Sequence, residues 1–147
     1  MDSWTKAIPY FSEEELRCKG SGALILDIRF AIELPKLRKS WRNTLYLTSV
    51  CRSPEYNKQV GGHPNSLHLT ENPKWQTAGT MAADIYWENW DLSAKYEFYI
   101  LARELNWSCG LDKQFIHCDR RYDIGLGGIT FTYPSWTNDF ARVGDTL

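Results

Sequence analysis

Apolar and polar positions change their period several times along the chain, and each change marks an element. "FSEEEL" carries a capping box, in which Ser12 caps a helix start and Glu15 reaches back to it, so a short helix is expected at about 12–17. "LILDIRFAIELPKLRKSW" has apolar residues on most turns and reads as helix. Pro35 within it has no N–H to donate and must kink the helix or mark a new start. "TLYLTSV", rich in β-branched and aromatic residues, reads as a strand. In "SPEYNKQV" Ser53 is placed as N-cap and Pro54 at the first helical position, and "VGGHPN" follows as a turn.

Further on, "SLHLT" and "TMAADIYW" both read as short strands, with a Pro-containing loop between them. "DLSAKYEFYILARELNW" sets Leu92, Tyr96, Ile100 and Leu105 near one helical face, which predicts an amphipathic helix. "QFIHCDRR" reads as a strand, and "DIGLGGITFTY" as a Gly-rich turn running into a last strand. Helices and strands mix without regular βαβ alternation, and no repeat, low-complexity tract or linker interrupts them. The expectation is an α+β fold in one domain, residues 1–147.

Composition narrows the class. A chain of 147 residues is long enough for a real core, and 43% hydrophobic with 24% charged residues is ordinary for a globular domain. A net charge of −1 carries no nucleic-acid footprint. Seven Trp and eight Tyr partly pack the core, but such side chains also line sites for sugars and peptides. Cys18, Cys51, Cys109 and Cys118 form no CxxC pair, which argues against a zinc ribbon or a disulfide framework. Isolated buried thiols in a reducing compartment are expected, with one or two bridges as the alternative. "MDSWTKAIPYFSEEEL" has no apolar signal-peptide core, and no run approaches the ~18 apolar residues of a membrane span. A cytoplasmic site of synthesis is therefore expected.

Candidate chemistry rests on few residues. Of three histidines, His63 lies between Gly62 and Pro64 and reads as a solvated loop residue. His68 and His117 lie inside predicted strands, facing opposite to Leu67 and Leu69 and to Ile116 and Cys118; Asp84 alternates likewise with Ala83 and Ile85. Three strands can thus aim two imidazoles and a carboxylate at one side of a sheet. Such a set with a fourth position open to water is the catalytic type of zinc site, whereas structural sites are closed and cysteine-rich. Spacing alone is a weak signal, because two strand histidines and an aspartate also arise by chance.

The set "TSVCRSPEYNKQVGG…SLHLT…AADIY…FIHCDRR" resembles the zinc D-alanyl-D-alanine carboxypeptidase family, which also contains phage L-alanyl-D-glutamate endopeptidases, vancomycin-resistance dipeptidases and the hedgehog signalling domain. The resemblance runs from "FSEEELRCKG" to "FIHCDRR". It implies a small mixed or antiparallel sheet flanked by helices, with His68, Asp84 and His117 binding one zinc ion. It implies also that Arg52 helps to bind or polarise the substrate; a cation at a helix start gains nothing from the helix dipole, which weakens the alternative of a plain surface charge. Ser66 is expected either to hydrogen-bond within the site or to support its strand, and Asn57 to anchor a loop.

Two departures from the family pattern matter. Fifteen residues, Leu69 to Ala83, separate the first histidine from the aspartate where the family usually has six, and Gly79 falls one place early. "ENPKWQTAG" reads as an inserted hairpin loop that leaves both ligand strands in register, since insertions in loops are thermodynamically cheap. Trp75 in that loop is expected to form a lid or wall over the cleft, or else to pack on its own loop. The second departure concerns the general base: Gln114 and Phe115 stand where family branches carry an acid or a histidine, and neither accepts a proton at neutral pH. Asp119, on the same strand face as His117, and Asp112 are the remaining candidates; Asp119 serves equally well as a residue that orients a ligand or an arginine.

The leading expectation is a monomeric zinc peptidase acting on peptide stems of bacterial peptidoglycan, as carboxypeptidase or endopeptidase. It would be a phage lysin that reaches the wall after release or within a virion, and would need neither nucleic acid nor membrane as partner. The rival expectation is a metal-bearing binding module of the same fold that does not hydrolyse. A plain α+β domain without metal is the third.

Overall fold

The computed structural model describes residues 2–138 and Phe140. Its frame is a five-stranded sheet of β3 (Leu47–Ser49), β4 (Ala82–Tyr86), β5 (Ser108–Leu111), β6 (Phe115–Asp119) and β7 (Thr130–Thr132), in the spatial order β3-β4-β6-β5-β7. All neighbours are antiparallel except β5 and β7, which run parallel. A two-stranded ribbon of β1 (Ser3–Trp4) and β2 (Leu26–Asp27) stands apart from it. The α-helices named among the described residues are α1 (Glu13–Leu16), α2 (Ile28–Trp41), α3 (Pro54–Gln59) and α4 (Leu92–Glu104). The class is α+β: a mixed sheet flanked by helices.

Local sequence explains most starts. Ser12 and Glu15 form the reciprocal capping box of α1, and Ser53 accepts from the Tyr56 N–H with Pro54 opening α3. Asp27 caps α2 by accepting from the Arg29 N–H, and Asp91 caps α4 by accepting from the Ala94 N–H. Helix α2 runs through Pro35. The proline therefore neither ends it nor begins a second helix, and it withholds one N–H from the ladder.

Three expectations change. "SLHLT" is not a strand: Leu67 and His68 lie in a turn, and only Leu69 makes an isolated bridge, to Arg52. β5 was not anticipated, because "SCGL" has little strand propensity; pairing with β6 on one side and β7 on the other makes it a strand. On α4 the fully buried positions are Lys95, Phe98 and Ala102, while Leu92, Tyr96, Ile100 and Leu105 are only half-buried. The Lys95 stem lies under aromatic cover, with its ammonium 5.7 Å from the Trp87 ring and 5.9 Å from that of Trp136, so a long cationic side chain fills a core-facing position.

One face of the large sheet carries Ala83, Ile85, Cys109, Leu111, Ile116 and Cys118 into the core. All four thiols are buried and free. The opposite face carries the chemistry. No helix is long and apolar enough to cross a membrane among the described residues.

Candidate metal centre

Pairing across the sheet builds a single row. Ser49 on β3 stands opposite Asp84 on β4, Asp84 opposite His117 on β6, His117 opposite Gly110 on β5, and Gly110 opposite Phe131 on β7. Side chains paired across strands share a face, so strand alternation alone delivers Asp84 and His117 to one spot.

His68 arrives differently. Backbone bonds pin its turn on several sides: the Arg52 N–H donates to the His68 carbonyl (3.0 Å), the Thr70 N–H to the Arg52 carbonyl (2.9 Å) and the Met81 N–H to the Leu67 carbonyl (2.8 Å). The Thr80 hydroxyl also donates to the His68 carbonyl, at 2.8 Å. Ser66 Oγ accepts from the His68 N–H, so its hydroxyl stabilises this turn.

Three lone-pair atoms converge. His68 Nε2 lies 3.1 Å from Asp84 Oδ1 and 3.2 Å from His117 Nδ1, and His117 Nδ1 lies 3.1 Å from Asp84 Oδ1. Ligands at about 2.0–2.1 Å from a tetrahedral zinc are separated by roughly 3.3 Å, so this triangle has the size of one face of that tetrahedron. The outer ring nitrogens are held as zinc-binding histidines require. His68 Nδ1–H donates to the Val50 carbonyl (2.8 Å) and His117 Nε2–H to Asp119 Oδ2 (2.8 Å), which turns the inner nitrogen of each ring toward Asp84. A carbonyl only accepts, and this assigns the His68 tautomer.

The electrostatics agree. Burial would raise the pKa of Asp84, but His68 and His117 hold it well below the usual carboxylate range. Burial also pushes His68 down, against the pull of Asp84, so its ring stays neutral. His117 is opposed by burial too, yet its bonds to Asp119 and Asp84 push it up to about 9. Asp119 is held well below its ordinary value, despite burial, by Arg121 and His117. It is fully buried, and Arg121 grips it through the backbone N–H and Nε on Oδ1 (3.0 and 2.9 Å) and through Nη2 on Oδ2 (2.7 Å).

Arg52 is fixed from three sides, by Ser49 Oγ (3.0 Å), Asn57 Oδ1 (3.3 Å) and Asp84 Oδ2 (3.2 Å). Asn57 in turn donates to the His63 carbonyl at 2.9 Å and so ties down the loop ahead of His68. His68, Asp84 and His117 are the metal-capable cluster among the described residues. The model for the family Peptidase M15 matches residues 9–119, a span that holds all three of them. The chain belongs to the peptidase M15 family. Zinc is the cofactor of that family, and the triangle of donors fits it. No curated protein and no solved structure matches the chain.

The centre of this M15 peptidase lies in a cleft of about 560 Å³, walled by Trp75, Phe115, Phe131 and Tyr133 and edged by His63 and Lys74. Trp75 is half-buried with the Lys74 ammonium 4.8 Å from its ring centre, and it forms part of the wall. The inserted segment is a loop rather than a hairpin, organised by buried Asn72. That side chain donates to the Asn65 and Ser66 carbonyls and accepts from the Lys74 and Trp75 N–H groups. A larger cleft of about 910 Å³ adjoins at Gly62, but none of the three candidate donors lines it. Asp112 accepts from the Gln114 N–H and the Ser135 hydroxyl and does not line the metal cleft. Sequence reading passed over Ser49, Arg121, Phe131 and Tyr133. Only Arg121 had a local signal, two places after Asp119 on a strand end.

Proposed function

We propose that this zinc peptidase cleaves peptide stems of bacterial peptidoglycan, as a phage lysin that reaches the wall after release or within a virion. The observation that carries hydrolysis is that the three donors line one open cleft, where an ion held by them would meet a substrate. The wall-peptide substrate is supported by the resemblance of the "YN", "SLH" and "HCD" segments to wall-peptide carboxypeptidases and endopeptidases.

His68, Asp84 and His117 would hold the ion. When bound, zinc supplies a Lewis acid that acidifies water and polarises the scissile carbonyl. The remaining work belongs to the chain. Arg52 uses three of its five N–H groups on Ser49, Asn57 and Asp84, and in this reading it offers the others to substrate oxygen. Asp119 keeps the His117 ring in one orientation; with its oxygens taken by Arg121 and His117 it suits that role better than proton transfer. Trp75 and the aromatic wall hold a short peptide.

A second reading, a metal-bearing module that binds without hydrolysis, is favoured by one observation. Among the described residues the cleft offers no free carboxylate as base, because Asp119 is occupied and Asp112 lies outside it. Mass spectrometry of fragments released from purified peptidoglycan by protein carrying one zinc separates the two. New termini at one stem position are expected. Absence of any release with zinc in place would favour the binding module.

A further inference from the structure

Cleft residues able to donate or accept a proton, beyond those holding the ligands, are few. They include His63, Lys74 and Tyr133. His63 and Lys74 are exposed on the loops between α3 and β4. Tyr133 is built in. Its ring meets Phe115 at 5.3 Å and Phe131 at 5.6 Å, both edge-on, and its N–H donates to the Leu111 carbonyl at 2.9 Å, which extends β7 along β5. Phe131 rests 5.7 Å from the His117 ring, so the aromatic wall is continuous with a metal ligand. Gly110 makes this possible, because a Cβ there would collide with the Phe131 ring and press on Tyr133 at 3.1 Å.

Tyr133 lines the same cleft as Arg52, Asp84 and His117, and among the described residues no side chain hydrogen-bonds its hydroxyl. Burial and then the charge of Asp84 push its pKa up to about 12, with Arg52 opposing. A phenol at that value stays protonated at neutral pH, so it donates and does not act as a base. We propose that Tyr133 is a catalytic residue, its hydroxyl donating a hydrogen bond to the oxygen that gains negative charge when a scissile carbonyl becomes tetrahedral. It would act beside Arg52, as a preorganised donor of the kind that stabilises an oxyanion. Residue 133 lies just after β7 and beyond the 9–119 span matched by the family model, so this donor stands outside the matched segment.

The inference rests on the peptidase reading, and its test separates the two. Tyr133→Phe keeps the ring and its packing. With a synthetic stem pentapeptide, L-Ala-D-Glu-L-Lys-D-Ala-D-Ala, kcat is expected to fall about 100-fold with KM within about threefold. Zinc content should stay at one ion. Acetohydroxamate, which sets anionic oxygens at a zinc whatever the natural substrate, is expected to bind about tenfold more weakly to Tyr133→Phe by calorimetry. Tyr46→Phe, which alters an exposed phenol outside the cleft, should leave both measures within about twofold. Equal acetohydroxamate affinity in Tyr133→Phe and the unaltered protein would overturn the inference, as would the same losses in Tyr46→Phe. Unaltered protein that binds acetohydroxamate but cuts no stem peptide would overturn the wall-peptide reading alone.

Discussion

At the scale of single residues, His117 connects the two halves of the site. Its inner nitrogen faces the metal position and its outer N–H is held by Asp119. Asp119→Asn weakens that hold and is expected to lower zinc affinity about 10–100-fold, measured by competition with a chromogenic chelator. If Asp119 were instead the base, zinc would stay and only turnover would fall. The pH dependence has a definite sign. Below about pH 9 the metal-free protein carries a proton on both nitrogens of His117. Zinc needs the inner lone pair and must release that proton. Asp84 is ionised and His68 neutral over the same range, so neither adds a slope. Apparent zinc affinity should therefore rise about tenfold per pH unit from 7 to 9 and flatten above; a flat profile below 8 would contradict this. Asp84 and His117 were legible in the sequence because strand alternation is a local property. His68 is a candidate ligand in the sequence but stands on a turn and not a strand, since "SLHLT" has strand composition while its backbone is set by distant Arg52, Thr80 and Met81.

At the scale of elements, β5 and β7 decide the shape of the cleft. Gly110 on β5 leaves room for Phe131 on β7, so Gly110→Ala forces the aromatic wall aside. A cost of about 1–3 kcal/mol is expected, read as a lower chemical-denaturation midpoint, with weaker stem-peptide binding. An unchanged midpoint would mean that the wall is loose. Caps and short helices were legible, because Ser12, Glu15, Ser53 and Pro54 act within one turn. Strand β5 was not, since its four residues become a strand only between two partners. The buried stripe of α4 was also hidden: the cluster of Trp87, Trp90 and Trp136 selects Lys95 and Phe98 over the leucine and isoleucine positions.

At the scale of the whole molecule, zinc held by His68, Asp84 and His117 would tie β4, β6 and the turn before Leu69 into one unit. Removing it with a chelator leaves only a proton to hold three crowded donors together. With free zinc about 1,000-fold above its dissociation constant, binding contributes about 4 kcal/mol. Calorimetry with and without chelator should then show Tm lower by on the order of 10 °C for the stripped protein. Equal Tm values would mean that the folded chain holds no zinc. The sequence by itself determined the class, the caps and the candidate ligands, because periodicity, capping and spacing act over a few residues; the departure at Gln114 and Phe115 was legible through the family resemblance. Only the tertiary structure decided that His68 reaches the centre from a turn, that Asp119 is taken up by Arg121, and that Tyr133 enters the cleft. Those depend on backbone bonds and cross-strand register between segments tens of residues apart, which no local pattern encodes.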